Sequence, residues 1–195
     1  MQRQTPLKKI VIFASGSGTN AENIIRYFKS TPKVEVTYVF SNKKNAGVLK
    51  RAHRLKVPAL HFDRTSFYQS NEVLHLLIDA QPDLIVLAGF LWKFPENIIE
   101  QFRGKIINIH PALLPKYGGK GMYGSYVHKA VVDNNEKETG ITIHYVNENY
   151  DEGAIIFQAK TEVLPEFDAN QVAKSVHELE YEHFPRVIEQ LLLAN

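Results

Sequence analysis

Lys9-Ile10-Val11-Ile12-Phe13-Ala14 is an almost unbroken apolar run rich in β-branched residues. A run this short suits a strand covered on both faces better than a buried helix. It leads directly into Ser15-Gly16-Ser17-Gly18-Thr19-Asn20, and then into Ala21-Glu22-Asn23-Ile24-Ile25-Arg26-Tyr27-Phe28, whose apolar residues recur at helical spacing. Strand, glycine turn and helix in that order open a parallel α/β sheet with crossover helices. The alternation continues. Val34 to Phe40, Leu84 to Ala88 and Ile106 to Ile109 read as strands. Roughly Ala46 to Leu55 and Phe67 to Ala80 read as helices, with a short extended piece from Pro58 to Phe62. Pro111 to Gly124 holds four glycines and reads as loop, and a helix is expected around Tyr126 to Asn134. Gly140 to Val146 alternates like a strand, with Ala154 to Thr161 as its hairpin partner. Asp168 and Gln171 form a capping box at the start of a last long helix, in which Pro185 is expected to introduce a kink. The fold class is therefore α/β: a doubly wound, mostly parallel sheet with an antiparallel edge pair. At 195 residues, one domain spanning 1–195 is expected.

Composition narrows the chemistry. With Cys at zero, thiolate nucleophiles, disulfides and zinc–cysteine sites are excluded. A net charge of +2 argues against a broad nucleic-acid surface. No apolar run approaches the ~18–20 residues of a membrane helix. Met1 to Pro6 lacks the apolar segment of a secretory signal, so a cytoplasmic location is expected.

Four segments carry polar residues where an α/β sheet places ligands. The glycine turn Ser15 to Asn20 ends at a helix start, where unpaired amides and the helix dipole favour an anion such as a phosphate. It matches neither a dinucleotide fingerprint nor a P-loop, and an ordinary strand-to-helix turn also explains it. Asn108-Ile109-His110-Pro111 ends an apolar strand. Alternation puts Asn108 and His110 on one face, where an amide and an imidazole can bind a carbonyl oxygen, stabilise its developing charge and handle a proton. Asn149-Tyr150-Asp151-Glu152-Gly153 is either a plain hairpin turn or a carboxylate carried toward that histidine, and spacing leaves both open. Leu91-Trp92-Lys93-Phe94 follows Gly89 off a strand end. Core packing and the wall of a pocket for a flat aromatic ligand explain it equally well.

In order along nearly the whole chain, these segments resemble the folate-dependent phosphoribosylglycinamide formyltransferases of purine biosynthesis. The resemblance rests on Ser15 to Asn20, Leu87-Ala88-Gly89-Phe90, Asn108 to Lys116, Gly140 to His144, Tyr150 to Gly153 and Ile155 to Gln158. It implies a Rossmann-like formyltransferase fold and formyl transfer from 10-formyltetrahydrofolate, as co-substrate, to the amine of glycinamide ribonucleotide, without a metal. It further implies that Asn108, His110 and Asp151 are catalytic, with a protonated His110 paired to Asp151. Gly18, Thr19 and Asn20 would hold the substrate phosphate, and Glu180 would meet its ribose. Leu91, Trp92, Lys93 and Phe94 would line the pterin pocket beside Asn108. The partners implied are these small molecules, with no nucleic acid or membrane, for a monomer or homodimer. The chain departs from the family pattern at the longer Gly119 to Gly124 loop. A cofactor-binding arginine of the family has Arg64 as its nearest counterpart. Methionyl-tRNA formyltransferase and formyltetrahydrofolate deformylase share the core but carry added domains. A non-catalytic binder of a sugar phosphate is the alternative outside enzymes.

Overall fold

The computed structural model describes residues 6–194. Met1 to Thr5, part of the segment behind the expectation about export, lie outside them. β1 (Lys8–Phe13) runs into α1 (Thr19–Phe28), and β2 (Val34–Ser41) into α2 (Gly47–Arg54). The short β3 (Ala59–His61) precedes α3 (Arg64–Tyr68) and α4 (Glu72–Ala80). β4 (Leu84–Leu87), α5 (Glu96–Gln101), β5 (Ile106–His110), α6 (Ser125–Asp133), the hairpin β6 (Glu138–Tyr145) and β7 (Ile155–Glu162), and α7 (Ala169–Leu193) complete the order.

The seven strands form one sheet in the order β3-β2-β1-β4-β5-β6-β7. β3 through β5 are parallel, whereas β6 pairs antiparallel with β5 and with β7. This is the expected doubly wound sheet with an antiparallel edge pair. Alternate side chains of the buried strands feed two cores, because successive residues face opposite sides of a sheet. Ile10, Ile12, Val86 and Ile107 pack with α1, α2 and α7, while Val11, Phe13, Ile85 and Ile106 pack with α3, α4 and α5. The aromatic rings of the second core meet edge to face, with Phe13 central to Phe40, Phe90 and Phe94.

Two elements differ from the sequence reading. The helix expected over Phe67 to Ala80 is two helices. Asp63 caps α3 by accepting from the Ser66 N–H, Gln69 and Ser70 both donate to the Thr65 carbonyl, and Asn71 takes a left-handed conformation at φ 58° before α4. α5 has no counterpart in that reading. Its six residues are too few to establish a helical period, and Pro95 occupies its N-cap. Pro185 lies within α7 and is buried there.

The order of strands places the functional residues. The chain winds outward from β1 in one direction and returns at β4 to wind in the other, so the loops after β1 and β4 diverge and leave a crevice. These loops remain bonded at its base. The Ser15 N–H donates to the Gly89 carbonyl at 3.0 Å, and the Leu91 N–H donates to Ser15 Oγ at 2.9 Å.

Candidate active site

A cavity of about 640 Å³ opens at the ends of β1, β4 and β5. All eleven residues singled out above line it: Gly18, Thr19, Asn20, Leu91, Trp92, Lys93, Phe94, Asn108, His110, Asp151 and Glu180. Its two ends differ in chemistry.

At one end is the start of α1. Gly18 occupies the cap position at φ 79°, and no side chain caps the helix. The first bond into the helix runs from the Glu22 N–H to the Gly18 carbonyl, so the amides before Glu22 have no partner within the helix. The side chain of Asn20 donates through Nδ2 to Glu180 Oε2 at 2.8 Å, while its buried Oδ1 has no partner. His177 donates to the same Glu180 oxygen at 2.8 Å, and that carboxylate raises the His177 pKa above its ordinary value. Amides facing an anion and carboxamide and carboxylate oxygens facing hydroxyl donors suit a sugar phosphate.

The middle of the cavity holds the three polar side chains. His110 ends β5 and is 3% exposed. Its Nε2 lies 2.7 Å from the Tyr117 carbonyl, which can only accept, so Nε2 carries a proton. Its Nδ1 faces Asp151 Oδ2 at 3.5 Å. Asn108 projects from the same face of β5. Its Nδ2 lies 3.2 Å from His144 Nε2 and 3.5 Å from Asp151 Oδ1. His144 Nδ1 in turn bonds the Tyr145 carbonyl at 2.9 Å, and its Nε2 lies 3.6 Å from Asp151 Oδ1. Asp151 rides the β6–β7 loop at φ 56°, and its Oδ2 accepts from the Gly119 N–H at 2.9 Å. The turn is therefore more than a plain hairpin, since it carries the carboxylate to within reach of both β5 side chains.

Burial works to raise the Asp151 pKa, but His144, His110 and the Gly119 amide together hold the carboxyl below its usual range. Burial pushes the His110 pKa below the ordinary value despite the opposing pull of Asp151 and the Tyr117 carbonyl. Burial thus works against a charged imidazole in this pocket. Desolvation outweighs a carboxylate that stands 3.5 Å away.

At the other end, Leu91, Trp92 and Lys93 form a wall with Phe90, and the buried Phe94 packs against Phe13 at 5.0 Å. Trp92 belongs to both alternatives left open above, lining the cavity while touching Phe62 and Phe67. The Arg64 guanidinium lies over its indole at 4.8 Å.

Sequence reasoning misses several residues of the site. His144 is the direct cross-strand partner of Asn108, a relation visible only once β5 and β6 are in register. His128 on α6 is buried, lines the cavity and has no partner for Nδ1. Its segment reads from the sequence only as a helix around Tyr126 to Asn134. The backbone groups of Tyr117 and Gly119 carry no side-chain signal at all.

The family described as formyl transferase matches residues 8–188. The chain belongs to the formyl transferase family. Phosphoribosylglycinamide formyltransferase of Haemophilus influenzae is 37% identical over 188 residues, covering 94% of this chain and 86% of that protein. The chloroplastic enzyme of the same name from Arabidopsis thaliana is 35% identical, over 93% of this chain and 64% of its own length. Among solved structures, glycinamide ribonucleotide transformylase 1 of Symbiobacterium toebii superposes with a TM-score of 0.89 at 28% identity, covering 100% of this chain and 92% of that one. Within the formyl transferase family, then, the bacterial and plant relatives carry one name, and the fold of this chain matches that of the Symbiobacterium structure over its whole length.

Proposed function

We propose that this formyl transferase moves a formyl group from 10-formyltetrahydrofolate to the amine of glycinamide ribonucleotide. The observation that carries the reading is that one cavity joins an uncapped helix start, fitted to a phosphate, to the trio Asn108, His110 and Asp151, fitted to acyl transfer. The relatives' shared name supports the same choice. The folate supplies an electrophilic formyl carbon bonded to nitrogen.

Gly18, Thr19 and Asn20 bind the phosphate through backbone amides, and Glu180 with Asn20 Oδ1 takes ribose hydroxyls. This fixes the substrate's amine near the trio and spends binding energy on orientation. The wall from Leu91 to Phe94, with Asn108 at its inner edge, holds the pterin. Asn108 Nδ2 and, once it carries a proton, His110 Nδ1 are the donors for the negative charge that grows on the formyl oxygen. One such donor is commonly worth ~10²–10³ in rate.

The lowered pKa of His110 sharpens its role. In the resting pocket Nε2 donates to Tyr117 and Nδ1 is a free acceptor. The attacking amine gives up a proton, which Asp151 conveys to Nδ1. The resulting imidazolium lies between the Tyr117 carbonyl and the Asp151 carboxylate, both acceptors, while the formyl oxygen becomes negative. The same proton then passes to the departing folate nitrogen. Asn108 and His110 provide the polarisation, and the proposed chemistry uses no metal. The protein is further proposed to act in the cytoplasm, as a monomer or homodimer and without nucleic acid, in keeping with its near-balanced charge. No helix among the described residues is long and apolar enough to cross a membrane.

The test is turnover with glycinamide ribonucleotide and 10-formyltetrahydrofolate, followed by loss of the formylated folate. Formylation of the ribonucleotide supports the reading. Binding of both ligands without turnover would leave only a sugar-phosphate binder.

A further inference from the structure

The glycine turn does not hold its own shape; α2 grips it. The Val48 N–H donates to the Gly16 carbonyl at 3.2 Å, and Arg51 Nε donates to the next carbonyl, that of Ser17, at 2.9 Å. Gly18 packs so tightly against Val48 that an added Cβ would stand 2.5 Å from the valine side chain. In a trans peptide the C=O and the following N–H point in opposite directions. Holding the Gly16 and Ser17 oxygens toward α2 therefore turns the Ser17 and Gly18 amides away from α2, toward the cavity these residues line.

Arg51 is itself held. Its Nη1 pairs with Glu22 Oε2, and Arg54 and Arg26 bond the same carboxylate at 2.8 Å each. Three arginines around one carboxylate keep Glu22 ionised, with its pKa held down to about 2 chiefly by Arg26 and Arg51. The Glu22 side chain is only 13% exposed and that of Arg51 34%, whereas Arg26 and Arg54 lie largely in solvent, so the Glu22–Arg51 pair is the sheltered part of the cluster. We propose that Arg51, anchored by Glu22, is a positioning residue that aims the Gly18 amide at the substrate's phosphate and keeps the Ser17 carbonyl from repelling it. This rests on the reading of the glycine turn as the phosphate site.

The test compares Arg51→Met, Arg51→Lys and Glu22→Gln with the wild-type enzyme in steady-state kinetics and thermal unfolding. Arg51→Met is expected to raise KM for glycinamide ribonucleotide about tenfold or more, the scale of a lost charge-assisted hydrogen bond, with kcat and the folate KM within about twofold. Arg51→Lys, which keeps a donor, should recover part of the loss, and Glu22→Gln should show a smaller rise in the same constant. A folded Arg51→Met with an unchanged ribonucleotide KM overturns the proposal. So does a rise in both KM values alike, which a disturbance not confined to the phosphate end gives, or a fall in apparent kcat alone, which loss of folded enzyme gives. The wild-type protein offers a check independent of any variant: ribose 5-phosphate should shift the Gly18 amide resonance. A Gly18 resonance that stays still while the sugar phosphate binds overturns the proposal alone. A wild-type enzyme that binds neither ribose 5-phosphate nor the ribonucleotide overturns the phosphate-site reading, and the proposal with it.

Discussion

At the scale of single residues, the trio is defined by what each polar atom can still accept. Asp151 Oδ2 already takes the Gly119 amide, yet both its oxygens stand 3.5–3.6 Å from His110, Asn108 and His144, close enough to steer a proton and too far to lock it. Asp151→Asn keeps the shape and removes the charge. It should lower kcat within or beyond the ~10²–10⁴ range of acid–base groups while changing ground-state affinities much less. The His110 pKa, already lowered by burial, should fall further without the opposing carboxylate, as read from its NMR titration. Wild-type turnover together with an unmoved titration would remove Asp151 from the chemistry. At the other end of the cavity, Gly18→Val meets both a left-handed φ of 79° and the Val48 side chain. It should weaken ribonucleotide binding by calorimetry and leave a folate analogue's affinity near wild type. Equal weakening of both ligands would count against a local phosphate site. Asn108 and His110 were legible in the sequence because strand alternation and a strand end fix where such side chains point. Asp151 was half legible: its turn was visible, its reach was not.

At the scale of elements, the stretch after β5 is held in place by β6. Thr142 Oγ1, fully buried, donates to the Ala112 carbonyl at 2.7 Å and accepts from the Leu114 N–H at 3.0 Å and from Gln158 at 2.9 Å. This one hydroxyl carries the hydrogen bonds between β6 and the residues that lead from His110 to Tyr117. Thr142→Val keeps the volume but strands the Ala112 carbonyl and the Leu114 N–H, each at a cost of about 1–3 kcal/mol, while Gln158 keeps the Leu114 carbonyl. Denaturant unfolding should show a loss of that order, and kcat should fall because the Tyr117 carbonyl no longer sits opposite His110. A stable variant with wild-type kcat would show that β6 does not position this segment. The sequence makes most strands legible, since buried parallel strands are continuous apolar runs. It hides α5, too short for a period, and the break between α3 and α4, which depends on a left-handed Asn71. It also hides the β5–β6 register that brings His144 to Asn108.

At the scale of the whole molecule, the cavity concentrates histidines whose titration opposes folding in acid. Burial lowers the pKa of both His110 and His128 below 6.5, so below that pH the unfolded chain binds protons that the folded chain refuses. Stability should therefore fall as pH drops below about 6.5, with the thermal midpoint lower at pH 5.5 than at pH 7.5. His177 works the other way: its raised pKa contributes stability at low pH that is lost as pH rises through the folded value. His128→Phe should thus make the acid-side slope shallower. An unchanged slope would mean that His128 titrates alike in the folded and unfolded chain.

The Asn20–Glu180 hydrogen bond spans 160 residues of sequence. Ribosomes deliver α1 well before α7, so the two halves of this contact do not coexist until α7 has emerged. The wall from Leu91 to Phe94 is complete long before. A nascent or truncated chain without α7 therefore lacks Glu180 on one side of the cavity and, with it, the Val172, Val176, Phe184 and Ile188 side chains of the core, so the Asn20 end of the cavity is finished only when the last helix arrives.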